Sequence, residues 1–248
     1  FVLGVSEFSD SSLNLKYAAS DAKVFYEYFR SDSGAMIPKK QAVFLANSAA
    51  TRNQIIKSMT SLVKMAAPQD LVIIFIATHG LPDPDTGEIN LLAHDTDPGN
   101  LVATGFSQTD IQRILSRSIT KKILVVVDAC HSGGLGSDSM LNRRGIYAAE
   151  VNRLMAMMAE STDGLAIFSA STSNELSLED EKWNGGAFTY YLLSGLKGRA
   201  DINRDQIVTL RETYDYVYEK VAAASQGRQH PELKGHFSND LPLVEINP

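Results

Sequence analysis

Five consecutive apolar residues, Ile123-Leu-Val-Val-Val127, run without polar alternation straight into Asp128-Ala-Cys130-His131-Ser132-Gly133. So short and uniform a run reads as a strand buried on both faces, the situation of a parallel sheet covered by helices. A second run of the same kind, Leu71 to Ala77, ends in Thr78-His79-Gly80. Two strands whose polar residues begin only at their carboxyl ends commit the chain to an α/β architecture. In open sheets of that class ligands bind beyond the carboxyl ends of the strands, so His79 and Cys130 are both delivered to a cleft.

The rest of the chain keeps the same alternation. Strands are expected over residues 1–5, 41–46, 70–78, 123–127 and 164–171, with a last edge strand over 241–246. Helices are expected over 13–30, 51–65, 107–117, 147–160, 187–196 and 209–224. In the first of these Leu15, Ala18, Ala22, Phe25 and Phe29 recur at helical spacing, and Thr51 and Ser107 are placed to cap the next two. A long loop over 80–105 carries a short apolar patch at 89–93, which suggests a small hairpin, and a second long loop covers 172–186. The pattern predicts an α/β/α sandwich around a mostly parallel six-stranded sheet. All of residues 1–248 read as a single domain, excised from a longer protein.

Composition narrows the partners. A net charge of −6, with Lys and Arg scattered or in short doublets, argues against nucleic acid. The longest apolar runs fall well short of the roughly 20 residues that cross a bilayer, so no membrane span is expected. Cys130 is the only cysteine, which excludes an internal disulfide and points to a reducing compartment, the cytoplasm.

A lone cysteine is more often a small buried hydrophobe than a nucleophile. One flanked by Asp, His, Ser and Gly at the polar end of a strand makes a poor core residue, and a matching His-Gly ends the other buried strand. An imidazole beside a thiol lets the thiolate form near neutral pH and can later protonate a leaving amine. The N–H groups of Gly80 and Cys130 would then hold the oxyanion of a tetrahedral intermediate. His131 is a weaker candidate for the base, because adjacent side chains on extended backbone point apart.

These residues resemble the catalytic dyad of the caspase and metacaspase superfamily. Thr78-His79-Gly80 and Asp128-Ala-Cys130-His131-Ser132-Gly133 place the histidine 51 residues before the cysteine (130 − 79), near the spacing known for caspases. The Asp-x-Cys-His-Ser-Gly form is closer to metacaspases and prokaryotic orthocaspases than to animal caspases. Leu15-Lys-Tyr-Ala-Ala-Ser-Asp21, Phe168-Ser-Ala-Ser171 and Gly185-Gly-Ala-Phe-Thr189 extend the similarity along the chain. The resemblance implies a caspase-like fold and hydrolysis of peptide bonds through an acyl-enzyme.

Asp128 lies two residues before Cys130, and negative charge beside a thiol opposes the thiolate, so its carboxylate is better assigned to the substrate. A cationic P1 side chain fits there. The resemblance further implies that Asp128 and Asp21 line an acidic pocket selecting Arg or Lys. Glu175 or Glu179 supplies a further charge, and Glu175 is carried forward as the candidate. The arginines of Arg143-Arg144 are candidates for self-cleavage within residues 132–163.

No cofactor is required by this chemistry, but calcium has a weak candidate site. Asp201, Asn203, Asp205 and Glu212 occupy positions 1, 3, 5 and 12 of an EF-hand loop, whereas Gln206 stands where such a loop needs Gly. A capping box of Thr209 with Glu212 is the plainer reading. Expected partners are protein or peptide substrates and other domains of the parent chain or an activating partner. The alternative from another functional class is a non-catalytic caspase-like regulatory domain that binds without cutting.

Overall fold

A computed structural model of the chain describes residues 1–32, 34–128, 152–160, 162–172, 175 and 177–246. In chain order these form β1 (Val2–Gly4), α1 (Ala18–Arg30), β2 (Phe44–Ala46), α2 (Arg52–Met65), β3 (Val72–Ala77), β4 (Gly80–Pro82), β5 (Ile89–Leu91), α3 (Leu101–Thr104), β6 (Phe106–Ser107) and α4 (Gln108–Leu115). There follow β7 (Ile123–Val127), helix α5 over 152–160, β8 (Leu165–Ser169), β9 (Glu179–Asp180), β10 (Gly185–Gly186), α6 (Ala187–Ser194), β11 (Ile207–Thr209), α7 (Leu210–Ala224), β12 (Glu232–Gly235) and β13 (Pro242–Glu245).

The main sheet has the order β12-β8-β7-β3-β1-β2. All its pairs are parallel except that of β12 with β8. The chain moves one way along the sheet from β1 to β2 and the opposite way from β2 through β3 and β7 to β8. Right-handed crossovers therefore put α1 on one face and α2, α4 and α5 on the other. α6 packs on both α1 and α7, which completes the first layer, while α2 packs on α4 in the second. The expected α/β/α sandwich is present, and every residue of β7 and β8 is buried, as unbroken apolar runs require.

Two elements differ from the expectation. The sixth strand is Glu232–Gly235, while Pro242–Glu245 pairs with Ile207–Thr209 in a separate two-stranded sheet. An edge strand that stays largely in contact with water carries little hydrophobic signal, and β12 has only Leu233 as an apolar residue. The first helix begins at Ala18 rather than at residue 13. Upstream of it the Asp10 carboxylate takes the Ser12 N–H and the Asn14 side chain takes the Phe8 N–H, local bonds that compete with helix formation. The loop after β3 forms the expected hairpin and adds β6 to it as a third strand.

Candidate active site

β3 and β7 are neighbours in register, Ile76 opposite Val127, and the Asp128 N–H continues the ladder onto the Ile76 carbonyl at 2.9 Å. His79 and Cys130 each follow three residues after that matched pair, so the two chains leave the sheet at one level. Cys130 and His131 themselves lie outside the described residues, as do Arg143 and Arg144.

The buried His79 imidazole is fixed on two sides. Its Nε2 is 2.9 Å from the Leu13 carbonyl, and its ring stacks on Phe8 with centroids 5.6 Å apart. A carbonyl only accepts, so Nε2 carries a proton and donates it there. The short 3₁₀ turn Ser11–Leu13, which displaces the start of α1, is what presents this carbonyl. The Leu92 N–H donates to the His79 carbonyl at 2.9 Å, leaving Gly80 and Leu91 as a non-hydrogen-bonded antiparallel pair. The Gly80 N–H is thereby directed away from β5.

Beside this strand end lies a cluster of carboxyls. Asp128 is 1% exposed and Asp21, in the first turn of α1, is 3% exposed. Asp128 Oδ2 accepts the Thr189 hydroxyl at 2.8 Å, and Asp21 Oδ2 accepts the Gly186 N–H at 3.0 Å. Among the described residues, neither carboxylate has a Lys or Arg in ion-pair contact. Burial, then the charge of Asp128, with a smaller push from Glu179, raise Asp21 to about 9 against the lowering effect of the Gly186 N–H. Burial raises Asp128 to about 6 in spite of its bond from Thr189. Burial thus favours the neutral form of both carboxyls, and the charge of each opposes ionisation of the other.

The Gly185-Gly186 pair has its explanation here. A Cβ on Gly185 would stand 2.0 Å from Asp21 Oδ1, and one on Gly186 would stand 3.1 Å from Asp128 Oδ2. Only glycine lets the β9–β10 hairpin, which pairs Gly186 with Glu179, close over the two aspartates.

Glu175, the candidate for the third charge, is committed elsewhere. Its carboxylate accepts the His230 backbone N–H at 2.7 Å and meets His230 Nδ1 at 2.6 Å. Burial pushes this carboxyl up, but the bonds to His230 outweigh it and hold Glu175 below the ordinary value. Glu179 is instead the glutamate that acts on Asp21. Spacing alone did not separate the two; the pairing of Glu179 with Gly186 does. Leu13 and Phe8 were also missed, since a backbone acceptor and a stacking ring carry no motif, and Thr189 was read as part of a motif without its bond to Asp128.

The EF-hand-like residues do not form a cation site as they stand. Gln206 adopts a left-handed conformation, φ 70°, and donates its N–H to Asp201 Oδ2. Asn203 Oδ1 accepts from Asp205 N–H and Asp205 Oδ1 accepts from Ile207 N–H, while Glu212 closes a capping box with Thr209. Asp201 Oδ1 is buried and unbonded among the described residues, but one oxygen does not make a calcium shell. Among the described residues no group of three or more His, Cys, Asp or Glu is arranged to hold a metal. The aspartates after His79 serve turns and a helix start: Asp83 binds Thr86, Asp95 the Arg52 N–H and Asp97 the Gly99 N–H. No helix among the described residues is long and apolar enough to cross a membrane.

A family model described as the caspase domain (Peptidase C14) matches residues 1–242. The crystal structure of protein GSU0716 from Geobacter sulfurreducens superposes with a TM-score of 0.66. It is 16% identical in sequence, and the match covers 99% of this chain and 98% of that one. No curated protein sequence matches the chain.

Proposed function

Because this chain belongs to the caspase-domain family of cysteine peptidases, we propose that it is an endopeptidase cutting after Arg or Lys, with Cys130 as nucleophile and His79 as its base. The thiolate attacks the P1 carbonyl, and the Gly80 and Cys130 N–H groups stabilise the resulting oxyanion. The imidazolium then gives its proton to the amine of the departing segment as the C–N bond breaks. Water, deprotonated by the same imidazole, hydrolyses the thioester and releases the second product. Support for His79 in this role comes from the Leu13 carbonyl, which fixes the ring through Nε2, and from the matched exits of β3 and β7.

The observation that carries the basic P1 preference is the buried pair Asp21 and Asp128, which has no cationic partner among the described residues. Buried carboxylates are costly unless a cation compensates them, and a P1 guanidinium or ammonium is such a cation. Glu179 replaces Glu175 as the third group of this pocket in our reading. Fluorogenic peptides differing only at P1 test it. Arg at P1 is expected to be turned over faster than Asp, and the Cys130→Ala variant to be inert; faster turnover of the Asp peptide would overturn the assignment.

Self-cleavage at Arg143 or Arg144 follows from the same preference. Intact mass of the purified wild type beside Cys130→Ala checks it, since fragments are expected only in the wild type, and cleavage persisting in the variant rules out a self-inflicted cut.

A further inference from the structure

Gln229 lies between α7 and β12, and its side chain is fully buried. Its Oε1 accepts the Leu178 N–H at 2.8 Å, and its Nε2 donates to the Ala170 carbonyl at 2.8 Å and to Ser177 Oγ at 3.4 Å. The Leu178 carbonyl in turn accepts the Ala187 N–H at 2.8 Å, where α6 begins. Leu178 is therefore gripped from both sides, and Glu179 is the next residue.

His230 grips the middle of the same segment. Its backbone N–H and its Nδ1 both meet the Glu175 carboxylate, which also reaches the Thr172 N–H at 3.4 Å. Two adjacent residues from another part of the fold thus hold both ends of the span from Ala170 to Leu178, without touching Asp21 or Asp128 in any contact described here. Within this stretch the Ser171 hydroxyl reaches the Glu175 carbonyl and the Glu175 N–H the Thr172 carbonyl, local bonds that Gln229 and His230 tie to the rest of the fold.

We propose that Gln229 and His230 are positioning residues for recognition of the P1 side chain: they hold Ala170, Glu175, Ser177 and Leu178 so that Glu179 stands beside Asp21. This rests on reading the carboxyl cluster as the P1 pocket. It gives Glu175 a role as well, as the acceptor through which His230 acts. Loss of the Gln229 bonds would leave the catalytic groups in place while letting Glu179 drift, so binding of a cationic P1 side chain suffers before chemistry does.

The test compares peptides with Arg or its uncharged isostere citrulline at P1, on wild type, Glu179→Gln, Gln229→Met and the double variant. Gln229→Met keeps volume and removes the amide. Each single variant is expected to reduce the preference for Arg by about tenfold, mainly through KM, and the double variant to reduce it no further, because both act through one carboxylate. If Gln229→Met lowers kcat and leaves the preference intact, or if the two losses multiply, the positioning role is overturned while the P1 reading stands. A wild type that does not favour Arg over citrulline overturns both. Should Gln229→Met fail to fold, Glu175→Gln, whose side chain is only 21% exposed but lies nearer the surface, carries the same expectations and the same refutations.

Discussion

The Asp21 carboxyl is costly to keep ionised in the folded chain, because it is buried beside Asp128. Its folded value is raised to about 9 by burial and by Asp128, against an unfolded value of about 3.9. Between these values the folded chain binds more protons than the unfolded one. This contribution to stability is therefore fully present below about pH 4 and is lost as pH rises through about pH 9. Asp21→Asn removes it, so the stability gap between variant and wild type should shift in favour of the variant from about pH 5 to about pH 8.5, read from urea midpoints. Substrate binding runs the other way. As Asp128 ionises through about 6, KM for an Arg-P1 peptide should fall with rising pH while KM for its citrulline counterpart stays flat. Gly185→Ala should abolish the Arg preference, because its Cβ would occupy the place of Asp21 Oδ1, yet leave Cys130 open to alkylation. At this scale the sequence brought out His79 and Asp128 as candidates from the chemistry of their strand ends, and Asp21 from the resemblance to metacaspases. Glu179 stayed ambiguous with Glu175, because only the hairpin pairing and the His230 contact distinguish them.

Among the elements, legibility followed burial. β3 and β7 could be read from composition because both faces are covered, and α2, α4 and α7 could be bounded from their caps. β12 could not, since it lies at an edge with half its residues in contact with solvent, and the apolar run at 242–245 drew the assignment instead. The start of α1 was missed for a different reason: Asp10 and Asn14 spend their side chains on local turns, and the carbonyl thus freed at Leu13 is the one that orients His79. The capping box at the head of α7 accounts for both Thr209 and Glu212, so Thr209→Ala should cost about 1 kcal/mol in urea unfolding. With Glu212 so engaged, adding a calcium chelator should leave both the melting temperature and peptide turnover unchanged. A calcium-dependent rise in melting temperature that disappears in Asp201→Ala would contradict that account of the loop.

For the whole molecule, the sheet order and its crossovers bring four separated stretches of sequence to one end of the sheet. These are the turn before α1, the ends of β3 and β7, and the β9–β10 hairpin. The proposed base and acidic pocket are drawn from these stretches, and β7 leads on to the proposed nucleophile in the sequence. The family fixes the class as a caspase-type cysteine peptidase domain, and the buried carboxyls are the ground on which we propose basic substrates. One measurement joins these claims: intact mass of the protein after exposure to a peptidyl chloromethyl ketone with Arg at P1, beside the same reagent with Asp at P1. The account predicts a single adduct from the Arg reagent, mapped to Cys130 and absent in Cys130→Ala and in the wild type given the Asp reagent. Labelling by the Asp reagent in preference, or an adduct away from Cys130, would contradict it.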